Sequence, residues 1–186
     1  MHTEYEVRVL EIDREELISK LDDLAEFQWD EVQKRYVYDF IPKVDNKWIR
    51  LRTNGKKTSL TIKNLVSSEI DGTQELEIEV DNFDRCNLIL KELGYEAKGY
   101  QENRRRQYML NGVEIDIDDW PMIPTYLEIE GPSEEAVYNV LETLGYSRED
   151  STIRDVEGIY KDYGFDIMKI KNLELEEERK WQYLKI

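Results

Sequence analysis

The sequence predicts an α+β fold: an eight-stranded antiparallel β-barrel, closed as a tunnel, with helices packed outside. Three observations carry that reading. Short runs along the chain alternate charge against Leu, Ile, Val or Tyr, the period of two that a strand imposes. Eight such runs follow one another with few crossovers between them, which favours antiparallel pairing. Their polar side is almost wholly charged and carries both signs, unlike the Thr, Ser and Lys mixture of an ordinary wet sheet face.

In chain order, Glu4-Tyr5-Glu6-Val7-Arg8-Val9 opens with Glu4, Glu6 and Arg8 on one face. Asp13 then caps a helix, with Glu16 three residues on, and Leu17, Ile18, Leu21, Leu24 and Ala25 form its apolar stripe. A second strand is expected at about residues 34–40, stopped by Pro42. Trp48-Ile49-Arg50-Leu51-Arg52 puts both arginines on one face. Asn54-Gly55 turns the chain into Ser59-Leu60-Thr61-Ile62-Lys63, whose polar face holds Thr61 and Lys63. A fifth strand, residues 74–80, sets Glu75, Glu77 and Glu79 against Leu76, Ile78 and Val80.

A helix over about 83–93 is expected to turn Leu88, Ile89 and Leu93 inward and to end at Gly94. The sixth strand, about residues 103–110, shares Asn103, Arg105 and Gln107 on its polar face. Strands at 113–118 and 125–131 add Glu114, Asp116, Asp118, Glu128 and Glu130. Ser133 caps a last helix with Ala136, Val137, Val140, Leu141 and Leu144 as its stripe. Leu93-Gly94-Tyr95 and Leu144-Gly145-Tyr146 echo each other, either as a trace of two similar halves or as a common way to close a helix. The charged run from Glu174 to Lys180 reads as a solvated tail or a last amphipathic element.

The totals narrow the function. A chain of 186 residues suffices for one well-buried domain or two small ones, and 12 Tyr and 4 Trp supply core despite the charge. A net charge of −16 argues against a nucleic-acid surface, yet clustered Arg and Lys can still grip a small polyanion. Cys86 is the only cysteine, so no intrachain disulfide forms. The N-terminus lacks a signal-peptide pattern and no apolar run has transmembrane length, so a cytoplasmic protein without a membrane partner is expected. His2, the lone histidine, lies next to the terminus, which argues against histidine acid–base or metal chemistry.

Alternating charge is most often a solvated outer face. Here it recurs on so many strands, acidic on some and cationic on others, that a functional tunnel lining is the better reading. Arg and Lys in such a lining suit a polyphosphate, and carboxylates without nitrogen or sulfur ligands suit Mg²⁺ or Mn²⁺.

These residues resemble the CYTH domain, the family of class IV adenylyl cyclases and thiamine triphosphatases, also called triphosphate tunnel metalloenzymes. The likeness covers roughly residues 1–165. It runs through Glu4-Tyr5-Glu6-Val7-Arg8, similar to the family's E-x-E-x-K signature, then Ile49-Arg50-Leu51-Arg52 and Lys63. The acidic strand Glu75, Glu77, Glu79 follows, then Arg105 with Tyr108 and Asp118, and the closing Glu128-Ile129-Glu130. Two positions depart from the pattern: Arg8 stands for the signature lysine and Asn103 for the lysine before Arg105.

The resemblance implies an eight-stranded antiparallel tunnel over residues 1–170 and a charged C-terminal tail at 171–186. It implies triphosphate binding by Arg8, Arg50, Arg52, Lys63 and Arg105, and Mg²⁺ or Mn²⁺ held by Glu4, Glu6, Asp118, Glu128 and Glu130. Glu4, Glu6 and Arg8 would serve catalysis. Arginine cannot act as a general base, so Arg8 is expected to clamp phosphate. The implied substrates are ATP, thiamine triphosphate or tripolyphosphate. The spacing of Arg105, Tyr108 and Asp118 resembles the cyclase branch, which forms cyclic AMP and pyrophosphate. A triphosphatase and a non-catalytic sensor are the alternatives, and a homodimer is compatible with each.

Overall fold

Alternation decides what a closed sheet shows its interior, and here it sends the charges in. The computed structural model describes residues 1–176. Its principal strands are β1 (His2–Val9), β2 (Glu26–Asp39), β3 (Lys47–Thr53), β4 (Thr58–Leu65), β5 (Thr73–Val80), β6 (Ala97–Leu110), β7 (Val113–Asp119) and β8 (Tyr126–Gly131). They pair antiparallel in the order β1-β5-β4-β3-β2-β6-β7-β8, and β8 returns to β1, so the barrel closes. Two-residue strands at Ser151–Thr152 (β9) and Asn172–Leu173 (β10) attach to β1 and β6.

Among the described residues four α-helices lie outside: α1 (Arg14–Leu24), α2 (Phe83–Glu92), α3 (Glu134–Thr143) and α4 (Val156–Asp162). The outward apolar residues of β1, β7 and β8, such as Val7, Ile115, Ile117 and Ile129, pack under Leu17 and Leu21 of α1 and Val137 and Leu141 of α3. Tyr38, Ile49 and Leu51 pack under Leu90 of α2. Trp120, Tyr126, Ile159, Tyr160 and Ile167 gather around α4 beside the β7–β8 connection. Among the described residues no helix is long and apolar enough to cross a membrane.

The caps form as the sequence expects. Asp13 accepts from the Glu16 N–H at 3.0 Å and Ser133 from the Ala136 N–H at 3.2 Å. The echo at Gly94 and Gly145 has a local cause: both residues take positive φ, 91° and 87°, to close a helix. Gly164, in Tyr163-Gly164-Phe165, ends α4 in the same way at 81°. Three helices therefore share one terminator, and duplication is not needed to explain the match.

Three expectations are corrected. Both β2 and β6 run for 14 residues, longer than their alternation suggests, because a register shift at Phe27/Trp29 breaks the period of two in β2. On α2, Leu88, Ile89 and Leu93 are exposed (59%, 59% and 69%), while Leu90 is buried with Phe83 and Cys86 half-buried beside it. The helix is thus rotated from the expected face: Phe83, Cys86 and Leu90 share the buried side, and Asn87 at its edge accepts a hydrogen bond from the Tyr38 hydroxyl at 2.8 Å. Short elements with no periodic signal, α4 and β10, pack the chain beyond residue 155. Leu173 and Leu175 are buried, so residues 171–176 pack against the barrel; the rest of the expected tail lies outside the described residues.

Leu51 sits between Arg50 and Arg52 and is fully buried under α2, which anchors the parity that turns both arginines inward. Leu51→Ala should therefore cost about 2–5 kcal/mol of stability and weaken anion binding, read by urea unfolding and by calorimetry. Unchanged stability would show that α2 does not fix this strand.

Candidate functional site

The tunnel is a cavity of about 900 Å³ lined by residues of every principal strand. Glu4, Glu6, Arg8, Arg50, Arg52, Lys63, Arg105, Glu128 and Glu130 all line it, and Arg35, which the sequence reading did not single out, joins them. Asp118 lies behind this lining, fully buried beneath Arg105.

The cations fall into two groups. Arg8 and Arg105 are saturated with carboxylate. Arg8 donates to Glu128 at 2.7 Å, to Glu6 at 2.8 Å and to the Arg154 carbonyl at 2.9 Å. Arg105 donates to Asp116 at 2.5 Å, to Asp118 at 2.6 and 3.0 Å and to Glu128 at 2.9 Å. Burial works against both charges, but these neighbours raise both guanidinium pKa values well above their usual value.

Arg35, Arg50 and Arg52 are held more loosely. Arg52 reaches Glu77 only at 4.0 Å, and Arg50 reaches Glu75 at 3.2 Å and Glu77 at 3.7 Å. Arg35 donates to Asn103 and Gln33, lies 4.5 Å from the centre of the Trp120 ring and forms no carboxylate ion pair among the described residues. The Nε atoms of Arg35 and Arg50 are buried and have no hydrogen-bond acceptor among the described residues. Burial, then Arg52, Arg50 and Arg105, pull Arg35 down to about 9. Burial, then Arg50 and Arg105, pull Arg52 down to about 9 as well. Lys63, paired with Glu4 at 3.1 Å and with Glu75, is lowered by burial and by Arg50. Like charges crowded out of water, with donors unspent, form a site that an anion would complete.

On the facing wall the carboxylates of Glu6, Glu128 and Glu130 each bring one oxygen within 4.8 Å of the others. Burial, then Glu4, Glu6 and Glu128, push Glu130 up to about 8. Three crowded carboxylates with all-oxygen donors fit a hard divalent cation. Glu4 stands beside this trio but is committed to Lys63. Asp118 is instead bonded to Arg105 and accepts from the Asn103 amide at 2.7 Å, so the structure does not bring it to the trio. The acidic strand β5 balances the cations: Glu77 accepts from Thr61 at 2.6 Å and flanks Arg50 and Arg52.

Arg35 had a visible signal, since Gln33, Arg35, Val37 and Asp39 alternate on β2. The mixture of neutral, basic and acidic side chains hid it among the more uniform strands. Asn103, where the resembling pattern has lysine, carries no charge of its own. It ties Asp118 to Arg35, so the cation at this level of the tunnel comes from the neighbouring strand.

A closed antiparallel barrel whose lining sets an under-neutralised arginine cluster against a carboxylate trio defines a charged-tunnel protein. The chain belongs to the CYTH domain family, whose model matches residues 2–155. Among solved structures it is similar to a conserved hypothetical protein from Pyrococcus furiosus, with 25% identity and a TM-score of 0.71, covering 83% of this chain and 98% of that one. A candidate adenylate cyclase from Vibrio parahaemolyticus is 14% identical with a TM-score of 0.73, covering 86% and 98%. A candidate adenylyl cyclase from Hippeastrum, described as having a dominant triphosphatase activity, is 17% identical with a TM-score of 0.57, covering 91% and 99%. At these identities the last two show the fold alone. No curated protein matches the chain significantly.

A cation whose folded pKa is lowered binds its proton more weakly than in the unfolded chain, so its charge costs stability at neutral pH and stability rises as the pH climbs above about 9. Arg35→Met should therefore raise the melting temperature in anion-poor buffer, flatten that rise, and weaken triphosphate binding. Thermal scans across pH check the first two effects and calorimetry the third. A lower melting temperature with unchanged binding would contradict the assignment.

Proposed function

We propose that this protein is a divalent-metal-dependent enzyme that cleaves a phosphoanhydride bond of a triphosphate held in the tunnel, with water as the acceptor. The observation that carries this reading is the loosely paired trio Arg35, Arg50 and Arg52, the first two with buried Nε donors unspent, facing the carboxylates of Glu6, Glu128 and Glu130. Arginine forks suit phosphate oxygens, and a chain of phosphates would neutralise several of them at once. Trp48 continues the row of Arg52 and Arg50 on β3 and offers a flat apolar surface for an organic group at the end of the phosphates.

The residues divide the work. Arg35, Arg50, Arg52 and Lys63 bind and orient the phosphates and stabilise charge that builds on their oxygens. Glu6, Glu128 and Glu130 would hold Mg²⁺ or Mn²⁺, which supplies charge neutralisation and an acidified water when bound. Arg8 fixes Glu6 and Glu128 by bonding both. Arg105 holds Asp116, Asp118 and Glu128 in place. In the reaction water attacks the terminal phosphorus, the bridging P–O bond breaks, and the shortened phosphate chain leaves.

The spacing of Arg105, Tyr108 and Asp118 resembles the cyclase branch, but only Arg105 and Asp118 come together, and Tyr108 does not join them. Tyr108 lies in the outer core and donates to Asp22 at 2.6 Å, on the opposite face of β6 from Arg105. Hydrolysis asks less of the tunnel than cyclisation, which also needs a ribose hydroxyl aligned on the α-phosphorus.

Incubating the protein with ATP, thiamine triphosphate and tripolyphosphate, with Mg²⁺, Mn²⁺ or EDTA, tests the reading. The expected result is metal-dependent orthophosphate release. Cyclic AMP with pyrophosphate would replace hydrolysis by cyclisation, and tight binding without turnover would make the protein a sensor. Arg8→Lys should retain turnover, whereas Arg8→Ala should lower it at least about tenfold, because Glu6 and Glu128 lose a buried partner.

A further inference from the structure

Arg8 and Arg105 are each bonded to carboxylates, whereas Arg35 is held by neutral groups alone. Its Nη2 donates to Gln33 Oε1 at 3.3 Å and to Asn103 Oδ1, and its guanidinium lies 4.5 Å from the centre of the Trp120 ring. Arg35, Gln33, Asn103 and Trp120 are all buried. Register accounts for the contacts. Gln33 precedes Arg35 by two residues on β2 and shares its face, and Asn103 stands opposite Gln33 on β6, diagonal to Arg35.

One amide separates this guanidinium from a buried carboxylate. Asn103 Nδ2 donates to Asp118 Oδ1 at 2.7 Å, and Asp118 is fully buried and accepts from Arg105 at 2.6 and 3.0 Å. The partners fix which way the amide points. A guanidinium only donates, so the oxygen faces Arg35, and the carboxylate paired with Arg105 takes the nitrogen. Asn103 is thus a spacer without charge between an arginine and an aspartate. A buried guanidinium surrounded by dipoles is costly unless something completes it. Arg52, Arg50 and Arg105 crowd Arg35 further, and its Nε has no acceptor among the described residues.

We propose that Gln33, Trp120 and above all Asn103 form a neutral cradle that aims Arg35 at the phosphates and keeps its charge from being neutralised by Asp118. Asn103 is then a positioning residue for the substrate, an inference that rests on the reading of the tunnel as a triphosphate site. The same amide leaves Asp118 to Arg105, which in turn bonds Glu128 of the carboxylate trio at 2.9 Å. One side chain therefore keeps two networks apart: Arg35 for the anion, and Asp118 with Arg105 to brace the carboxylates.

Calorimetry of the full chain with tripolyphosphate in EDTA tests this. Asn103→Ala removes the spacer, and Asn103→Asp keeps its shape while setting a carboxylate against Arg35. Each should weaken binding by about tenfold or more, whereas Asn103→Ala should change it by less than about threefold in an Arg35→Met background. Weakening by the same factor in both backgrounds, as a general loosening of the barrel would give, overturns the proposal. So does an Asn103→Asp variant that binds as tightly as the parent. A crystal structure of the unliganded parent with Arg35 bonded to Asp118 overturns it without any variant. Turnover is read separately. A parent that binds tripolyphosphate without hydrolysing it, and whose Asn103 effect vanishes with Arg35, loses the proposed reaction and keeps the cradle. A hydrolase whose Asn103 effect is independent of Arg35 keeps the reaction and loses the cradle.

Discussion

The structure depends on mutual neutralisation inside a closed sheet. Once the outward residues of β1, β3, β7 and β8 are buried under helices, strand geometry leaves their charged neighbours no direction but inward. A buried charge is tolerated only with a partner, so the tunnel holds acids and bases on adjacent strands: Glu128 against Arg8 and Arg105, Glu75 against Lys63 and Arg50. What matters for function is where this neutralisation is incomplete. Arg35, Arg50 and Arg52 carry more positive charge than their neighbours offset, and Glu130 sits among like charges on the other side. The fold keeps the two excesses apart within one cavity. Under the proposed function, that separation would give a triphosphate and a cation adjoining places.

Much of this was legible in the sequence because a period of two survives any tertiary context that keeps the strand. Glu4, Glu6, Arg50, Arg52, Lys63, Glu128 and Glu130 could be placed on one face from spacing alone, and the structure puts all seven on the tunnel wall. Where the period fails, so does the reading. The register shift at Phe27/Trp29 concealed the first half of β2, while Arg35, inside the expected part of that strand, was masked by the neutral and acidic residues that share its face. Pairing is also invisible in one dimension. Nothing in the spacing distinguishes Arg105, tied to three carboxylates, from Arg52, which reaches one at 4.0 Å.

Helix α2 shows a different limit. Its apolar residues occupy more than one face, so periodicity alone could not say which face is buried. One hydrogen bond from Tyr38 to Asn87 belongs to a rotation that buries Leu90 and exposes Ile89 and Leu93.

The most direct measurement is a crystal structure with a non-hydrolysable triphosphate analogue and Mn²⁺. The account predicts phosphate oxygens against Arg35, Arg50 and Arg52, with the metal between them and the carboxylates of Glu6, Glu128 and Glu130. Phosphates bound away from those three arginines, or a tunnel left empty at saturating analogue, would contradict it.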